Sequence, residues 1–302
     1  MKRQHSTRLF AGLLAVALSI GSALAKTPVT STEFEGISVR VEGQGPDLVF
    51  IPGLNSGAGT FTETCAAFKA EYRCHLLHLP GFAGNAPIAD VQNGFLPEMR
   101  ERVSRYIESQ KLHKPVLVGH SLGGVLSMMI ALDKPELAKA LVIVDSLPFY
   151  AAIQNPVATA ESMKPVAEQM RAGMMQQSEE DYRSNSKRFL QGMSNQPERM
   201  QTLIEWGNGS DRATTTQAMM ELMTTDLRLP IAQIKTPTMV LGAWAAYKPY
   251  GSTKESTRAI YAAQYQQLPN VDIRMSDTAY HFISWDDPQW LQTQIRDFLS
   301  QH

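Results

Sequence analysis

Cysteine is almost missing from this chain, with two in 302 residues, Cys65 and Cys74. That excludes a disulfide-built scaffold. It also excludes a thiolate metal centre, because Cys74, His75 and His78 fall along one strand-like run with no further ligand cluster. Charge of one sign is lacking too: 28 basic residues stand against 29 acidic, a net of −1, with no basic run and no aromatic-basic interleaving. A nucleic-acid partner is therefore not expected. No unit of 20–50 residues recurs and no low-complexity tract appears, which rules out solenoids and linkers.

A run long enough to span a bilayer is also absent, the apolar stretch Leu9–Ile20 being short for that. Lys2, Arg3 and Arg8 precede it and Ala23-Leu24-Ala25 follows, which is the anatomy of a secretory signal peptide. An uncleaved anchor or a buried first helix are the alternatives. Residues 1–25 are thus expected to be removed, leaving a mature chain from Lys26 in the periplasm or outside the cell, not held in a membrane, with 25 basic and 29 acidic residues. In such an oxidising compartment Cys65 and Cys74 could close one short disulfide loop; two buried thiols are the other reading.

What is present centres on Pro115–Gly124. Val116-Leu117-Val118 reads as a buried strand, Leu122–Leu132 as the helix after it, and Gly119-His120-Ser121-Leu122-Gly123 lies between. A serine on a sharp strand-to-helix turn needs very small neighbours two positions either side, because the two backbones pass close there. The turn pushes Oγ outward and leaves the Leu122 N–H, unpaired at a helix start, facing the same point. With strand, helix and Gly124 all in register, this stretch resembles the nucleophile elbow of the α/β-hydrolase family.

That resemblance implies an α/β fold, a mostly parallel twisted sheet flanked by helices, with a helical cap inserted after strand 6. On it, the core is residues 26–145 and 226–302, and the cap about 146–225. The cap segment carries nine of the fifteen methionines, whose adaptable side chains suit an apolar ceiling. Residues 33–51 read as a strand pair, Thr60–Glu71 as a helix, and Cys74–Leu79 as a strand. Pro52-Gly53-Leu54 follows the strand Asp47–Ile51 where the family places a second oxyanion donor, usually behind a His-Gly pair. Pro52 replaces that His, but a backbone donor at Leu54 survives the change. His78 stands where the family has an Asp and is read as structural, and His120 as a packing residue.

A base for the serine should come late in the chain, in the order Ser…Asp…His. His281, followed by Phe282 and by Asp286-Asp287-Pro288, resembles the family's base-bearing loop. The usual acid position, after the strand Thr238–Leu241, reads Gly242-Ala243-Trp244-Ala245-Ala246-Tyr247 and holds no carboxylate. Some family members carry the acid one strand earlier, where Asp145 ends an apolar strand; Asp226 and Asp277 are the alternatives. The resemblance then implies a Ser121–His281–Asp145 site with Leu54 and Leu122 as oxyanion donors, no metal or organic cofactor, and hydrolysis of a carboxylic ester of a small or apolar acyl substrate. An amide or C–C bond hydrolase, or a non-catalytic binder on the same scaffold, are the rivals. A dehalogenase would need a carboxylate in place of Ser121.

Overall fold

A computed structural model describes residues 29–302; the leader-like residues 1–25 lie outside them. Three strands open the described chain: β1 (Thr30–Phe34), β2 (Ile37–Glu42) and β3 (Asp47–Ile51). Helix α1 (Thr62–Phe68), β4 (Arg73–His78) and α2 (Phe95–Ser109) follow. Next come β5 (Val116–His120), α3 (Leu122–Asp133) and β6 (Ala140–Val144). Four helices then interrupt the alternation: α4 (Ala160–Gln176), α5 (Glu179–Leu190), α6 (Pro197–Asn208) and α7 (Arg212–Thr224). The pattern resumes with β7 (Thr238–Gly242), α8 (Lys254–Gln264), β8 (Asp272–Met275), the short α9 (Ile283–Asp286) and α10 (Pro288–Leu299).

The strands form one eight-stranded sheet in the order β1-β2-β4-β3-β5-β6-β7-β8. From β4 onward all pairings are parallel, while β2 pairs antiparallel with both β1 and β4. Strands β3, β5, β6 and β7 are buried along their whole length. That is why they read as unbroken apolar runs rather than alternating ones. Two apolar cores result, one on each face of the sheet.

The structure departs from one expectation and decides between two open readings. Residues 33–51 do not make a strand pair: β2 and β3 are separated by β4, which pairs with both. The Gly43 and Gly45 backbones, at φ 90° and 114°, let the chain cross over instead of folding back as a hairpin. Nor do Cys65 and Cys74 form a disulfide; both are free, buried thiols. The Cys74 thiol donates to the Cys65 carbonyl at 3.7 Å, and the adjoining Cys65 together with burial pushes it up from the ordinary thiol range.

The inserted helices sit on the core through polar clamps as well as apolar packing. Glu221 of α7 accepts the Phe95 and Leu96 N–H groups at 2.8 and 2.6 Å, capping α2 from across the fold. A carboxylate at a helix N-terminus satisfies orphan donors and meets the positive end of the helix dipole, a contribution of about 1 kcal/mol. At the other end, Trp206 of α6 packs on Trp285 of α9 at 5.3 Å between ring centroids, and Arg199 lies over the same indole at 5.0 Å. The cap methionines lie partly buried or, at Met175, exposed; Met193 and Met200 pack against the Leu203, Phe282 and Trp285 cluster.

Candidate active site

Strand β5 ends at His120, and Ser121 turns the chain into α3 with φ 51° and ψ −118°. A positive φ is strained for a residue with a Cβ and persists only where the surroundings hold it. Close backbone passage supplies that constraint. A Cβ on Gly119 would lie 2.2 Å from the Gly123 carbonyl oxygen, and one on Gly123 would lie 2.1 Å from that of Ile51. The Ser121 N–H still extends the sheet, donating to the Val144 carbonyl at 3.0 Å. Its side chain makes no capping bond to α3, so the hydroxyl is left for other work.

The loop after β3 leans directly on this serine. A Cβ on Gly53 would stand 3.1 Å from Ser121 Cβ, and Asn55 turns the chain away at φ 54°. Asn55 Oδ1 accepts the Thr215 hydroxyl of α7 at 2.7 Å, tying the loop to the cap. Neither Leu54 nor Leu122 donates its N–H in the turn and loop hydrogen bonds of the described residues. Pro52, the departure from the His-Gly pattern, is buried and leaves the Leu54 amide in place.

Asp145 lies one residue past β6, beside Ser121, because His120 and Val144 are register partners on β5 and β6. Its own N–H donates to Leu241 of β7 at 2.7 Å, and its φ of 43° swings the carboxylate out of the sheet edge. Oδ2 accepts His281 Nδ1–H at 2.7 Å. Oδ1 accepts the Ala243 N–H at 2.8 Å and the Tyr261 hydroxyl at 2.6 Å. The loop after β7, which holds no carboxylate of its own, thus donates its Ala243 amide to the Asp145 carboxylate presented by the neighbouring strand β6. Asp226 is engaged by Arg228 at 2.6 Å, and Asp277, largely exposed, by Lys254 at 2.7 Å.

His281 sits in the loop between β8 and α9, fixed on three sides. Phe282 donates its N–H to the Met193 carbonyl at 3.0 Å, and Tyr280 donates to Asp286 at 2.8 Å. His120 Nε2–H donates to the His281 carbonyl at 3.0 Å, with the two imidazoles 4.5 Å apart. Burial, then the neighbouring His281, hold His120 far below the usual imidazole range, so it stays a neutral donor. With Nδ1 donating to Asp145, His281 keeps the lone pair of Nε2 for accepting a proton. Asp286 is raised by burial, which outweighs its donors Ser194, Tyr280 and Asn195.

The arrangement brings Ser121, Asp145, His281, Leu54 and Leu122 to the carboxyl edge of β3, β5, β6 and β8, where parallel sheets gather their sites. Tyr261, the Ala243 amide and the His120 tie escape a reading of the sequence. Tyr261 in particular looks like one more apolar position of an amphipathic helix. His78 is bonded to the Phe82 carbonyl at 2.8 Å, as a structural residue would be. Among the described residues, no group of three or more His, Cys, Asp or Glu is placed to hold a metal ion. No helix among them is long and apolar enough to cross a membrane.

Comparison with known proteins agrees with this fold. A pimeloyl-[acyl-carrier protein] methyl ester esterase of Aeromonas salmonicida is 34% identical over 154 residues, 51% of this chain and 56% of the relative. The chain thus spans about half the length of these curated relatives. An esterase from Exiguobacterium antarcticum superposes with a TM-score of 0.72, at 16% identity, over 87% of this chain and 95% of that one. The enol-lactonase of Burkholderia xenovorans LB400 does so at 0.70 and 14% identity, over 90% and 100%. These two show a shared fold. The family model described as the alpha/beta hydrolase fold matches residues 46–288, and the chain belongs to that family.

Proposed function

We propose that this chain is a serine hydrolase of carboxylic esters, acting through an acyl-enzyme. The observation that carries the reading is the 2.7 Å contact of His281 Nδ1 with Asp145, beside a serine held at positive φ. A hydroxyl is a weak nucleophile until a base takes its proton, and an imidazole so oriented is that base. Ser121 Oγ attacks the ester carbonyl while its proton passes to His281 Nε2. Asp145 balances the charge of the resulting imidazolium. The Leu54 and Leu122 N–H groups receive the oxyanion, a stabilisation worth about 3 kcal/mol per donor in comparable sites. Collapse expels the alcohol, protonated by His281, and water activated by the same imidazole releases the acid.

The similar proteins named as esterases favour ester cleavage over amide or C–C bond cleavage. The methionines of the cap favour an apolar acyl group. The named relatives act on a methyl ester borne by a carrier protein, so a carrier-bound methyl ester belongs beside free esters in the test. Residues 1–25 support export, with N-terminal sequencing of the exported protein expected to begin at Lys26. Retention of Met1 in a membrane pellet would contradict that.

A panel of p-nitrophenyl esters of increasing chain length tests the activity. Turnover by the wild type, lost in Ser121→Ala, is expected. Absence of turnover on every free and carrier-bound ester would overturn the reading.

A further inference from the structure

We propose that Tyr261 is a positioning residue of this site, its hydroxyl holding the Asp145 carboxylate in the plane from which it meets His281. The inference deepens the ester-hydrolase reading and rests on it.

The carboxylate torsion of an aspartate is broad and poorly self-determined. One hydrogen bond to His281 leaves the carboxylate plane free to swing, and the strained Asp145 backbone, at φ 43°, does not fix it. Two further donors converge on Oδ1 from different elements: Ala243 N–H from the end of β7, at 2.8 Å, and Tyr261 from α8, at 2.6 Å. Together they define the plane and leave Oδ2 aimed at Nδ1. Tyr261 is buried, and its only hydroxyl partner among the described residues is Asp145. Burial, then the adjacent carboxylate, push its phenol well above the ordinary tyrosine range, so it donates at every working pH.

The same helix supplies a control. Tyr265, one turn further on and fully buried, donates to the Ser146 carbonyl at 2.8 Å. Helix α8 and its C-cap residue Tyr265 therefore grip two successive residues with two phenols, only one of which touches the carboxylate. The other titratable groups facing the Asp145–His281 pair are His120 from β5, Asp286 from α9, and Tyr247 from the turn after β7.

Steady-state kinetics on a p-nitrophenyl ester across pH, for wild type, Tyr261→Phe, Tyr265→Phe, Asp145→Asn and the Asp145→Asn/Tyr261→Phe double variant, test the proposal. Tyr261→Phe should lower kcat roughly tenfold with KM nearly unchanged, as loss of a hydrogen bond to a charged group implies. The acid limb of its kcat profile should move up by about half a pH unit, since a carboxylate relieved of a donor attracts the imidazolium more strongly. Tyr265→Phe should keep the wild-type profile. In the Asp145→Asn background, Tyr261→Phe should cost nothing more, because both changes act through one group. As a spectroscopic readout, the low-field Nδ1–H proton of His281 should shift in Tyr261→Phe and stay in Tyr265→Phe. A Tyr261→Phe enzyme with wild-type kcat and pH profile overturns the inference, as does an equal loss in Tyr265→Phe or a fully additive loss in the double variant. A wild type without ester turnover overturns the functional reading, and this inference with it.

Discussion

His281 and Asp145, 136 residues apart in sequence, meet through an Nδ1–H···Oδ2 hydrogen bond of 2.7 Å. Changing Asp145 to Asn keeps the shape but turns an acceptor-only group into one that can present N–H to the imidazole, favouring the wrong tautomer. Ester turnover should fall roughly a thousandfold or more, as it does when such an acid is lost elsewhere. Steady-state kinetics on the best p-nitrophenyl ester read this out, and a near-unchanged kcat would remove Asp145 from the role.

Asp226 and Asp277 have other partners, Arg228 and Lys254. Asp226→Asn and Asp277→Asn should each leave kcat within about twofold of wild type, the range expected of substitutions away from the site. The same assay decides the matter, and a large loss in either variant would transfer the acid's role to it.

The elbow itself is intolerant of volume. In Gly123→Ala the new methyl would meet the Ile51 carbonyl oxygen at 2.1 Å, a backbone contact that no rotamer change relieves. Stability should drop by about 3 kcal/mol or more, the upper end for overpacking. Urea unfolding by circular dichroism measures it, and a wild-type midpoint would mean that the strand-to-helix passage is looser than described.

Three histidines, His75 and His120 buried and His78 partly buried, set a pH dependence. His75 is lowered by burial, which outweighs its bond to Asp47; His78 by burial against the Phe82 carbonyl; and His120 by burial and His281. Below about pH 6.5 the unfolded chain protonates these residues while the folded protein does not, so stability falls as pH drops. Each group contributes a slope of up to about 1.4 kcal/mol per pH unit, and none of it acts above about pH 7.5. Asp286, raised by burial, works in the opposite sense as one group against three. Asp47 is lowered, its bonds from Arg73 and His75 outweighing burial, and adds to the loss only in stronger acid. The urea midpoint should therefore be lower at pH 5.5 than at pH 8; an equal or higher value would contradict the assignment.

The parts of the site legible in the sequence are those encoded within a few adjacent residues. Gly119–Gly123 writes its own turn, and His281 announces itself by the aspartates and proline that follow. The choice of Asp145 over Asp226 and Asp277 rests on a resemblance to family members with the acid one strand earlier, because no local pattern says which strand lies beside β5. That is a lateral relationship between β6 and β7, fixed by packing across the whole stretch between Val144 and Thr238, inserted cap included. The placement of β4 between β2 and β3 is hidden for the same reason: strand order leaves no local trace. Tyr261 and the buried Asp47–His75–Tyr106 chain, with contacts of 3.0 and 2.8 Å, were silent because a polar tip on an apolar body reads as ordinary core.

The most direct test of the account is the position of a fluorophosphonate adduct, found by mass spectrometry of the digested protein. One adduct per chain on the peptide bearing Ser121, lost in both Ser121→Ala and His281→Ala, is the predicted result. An unlabelled wild type, an adduct on another residue, or labelling that persists at full rate in His281→Ala would contradict it.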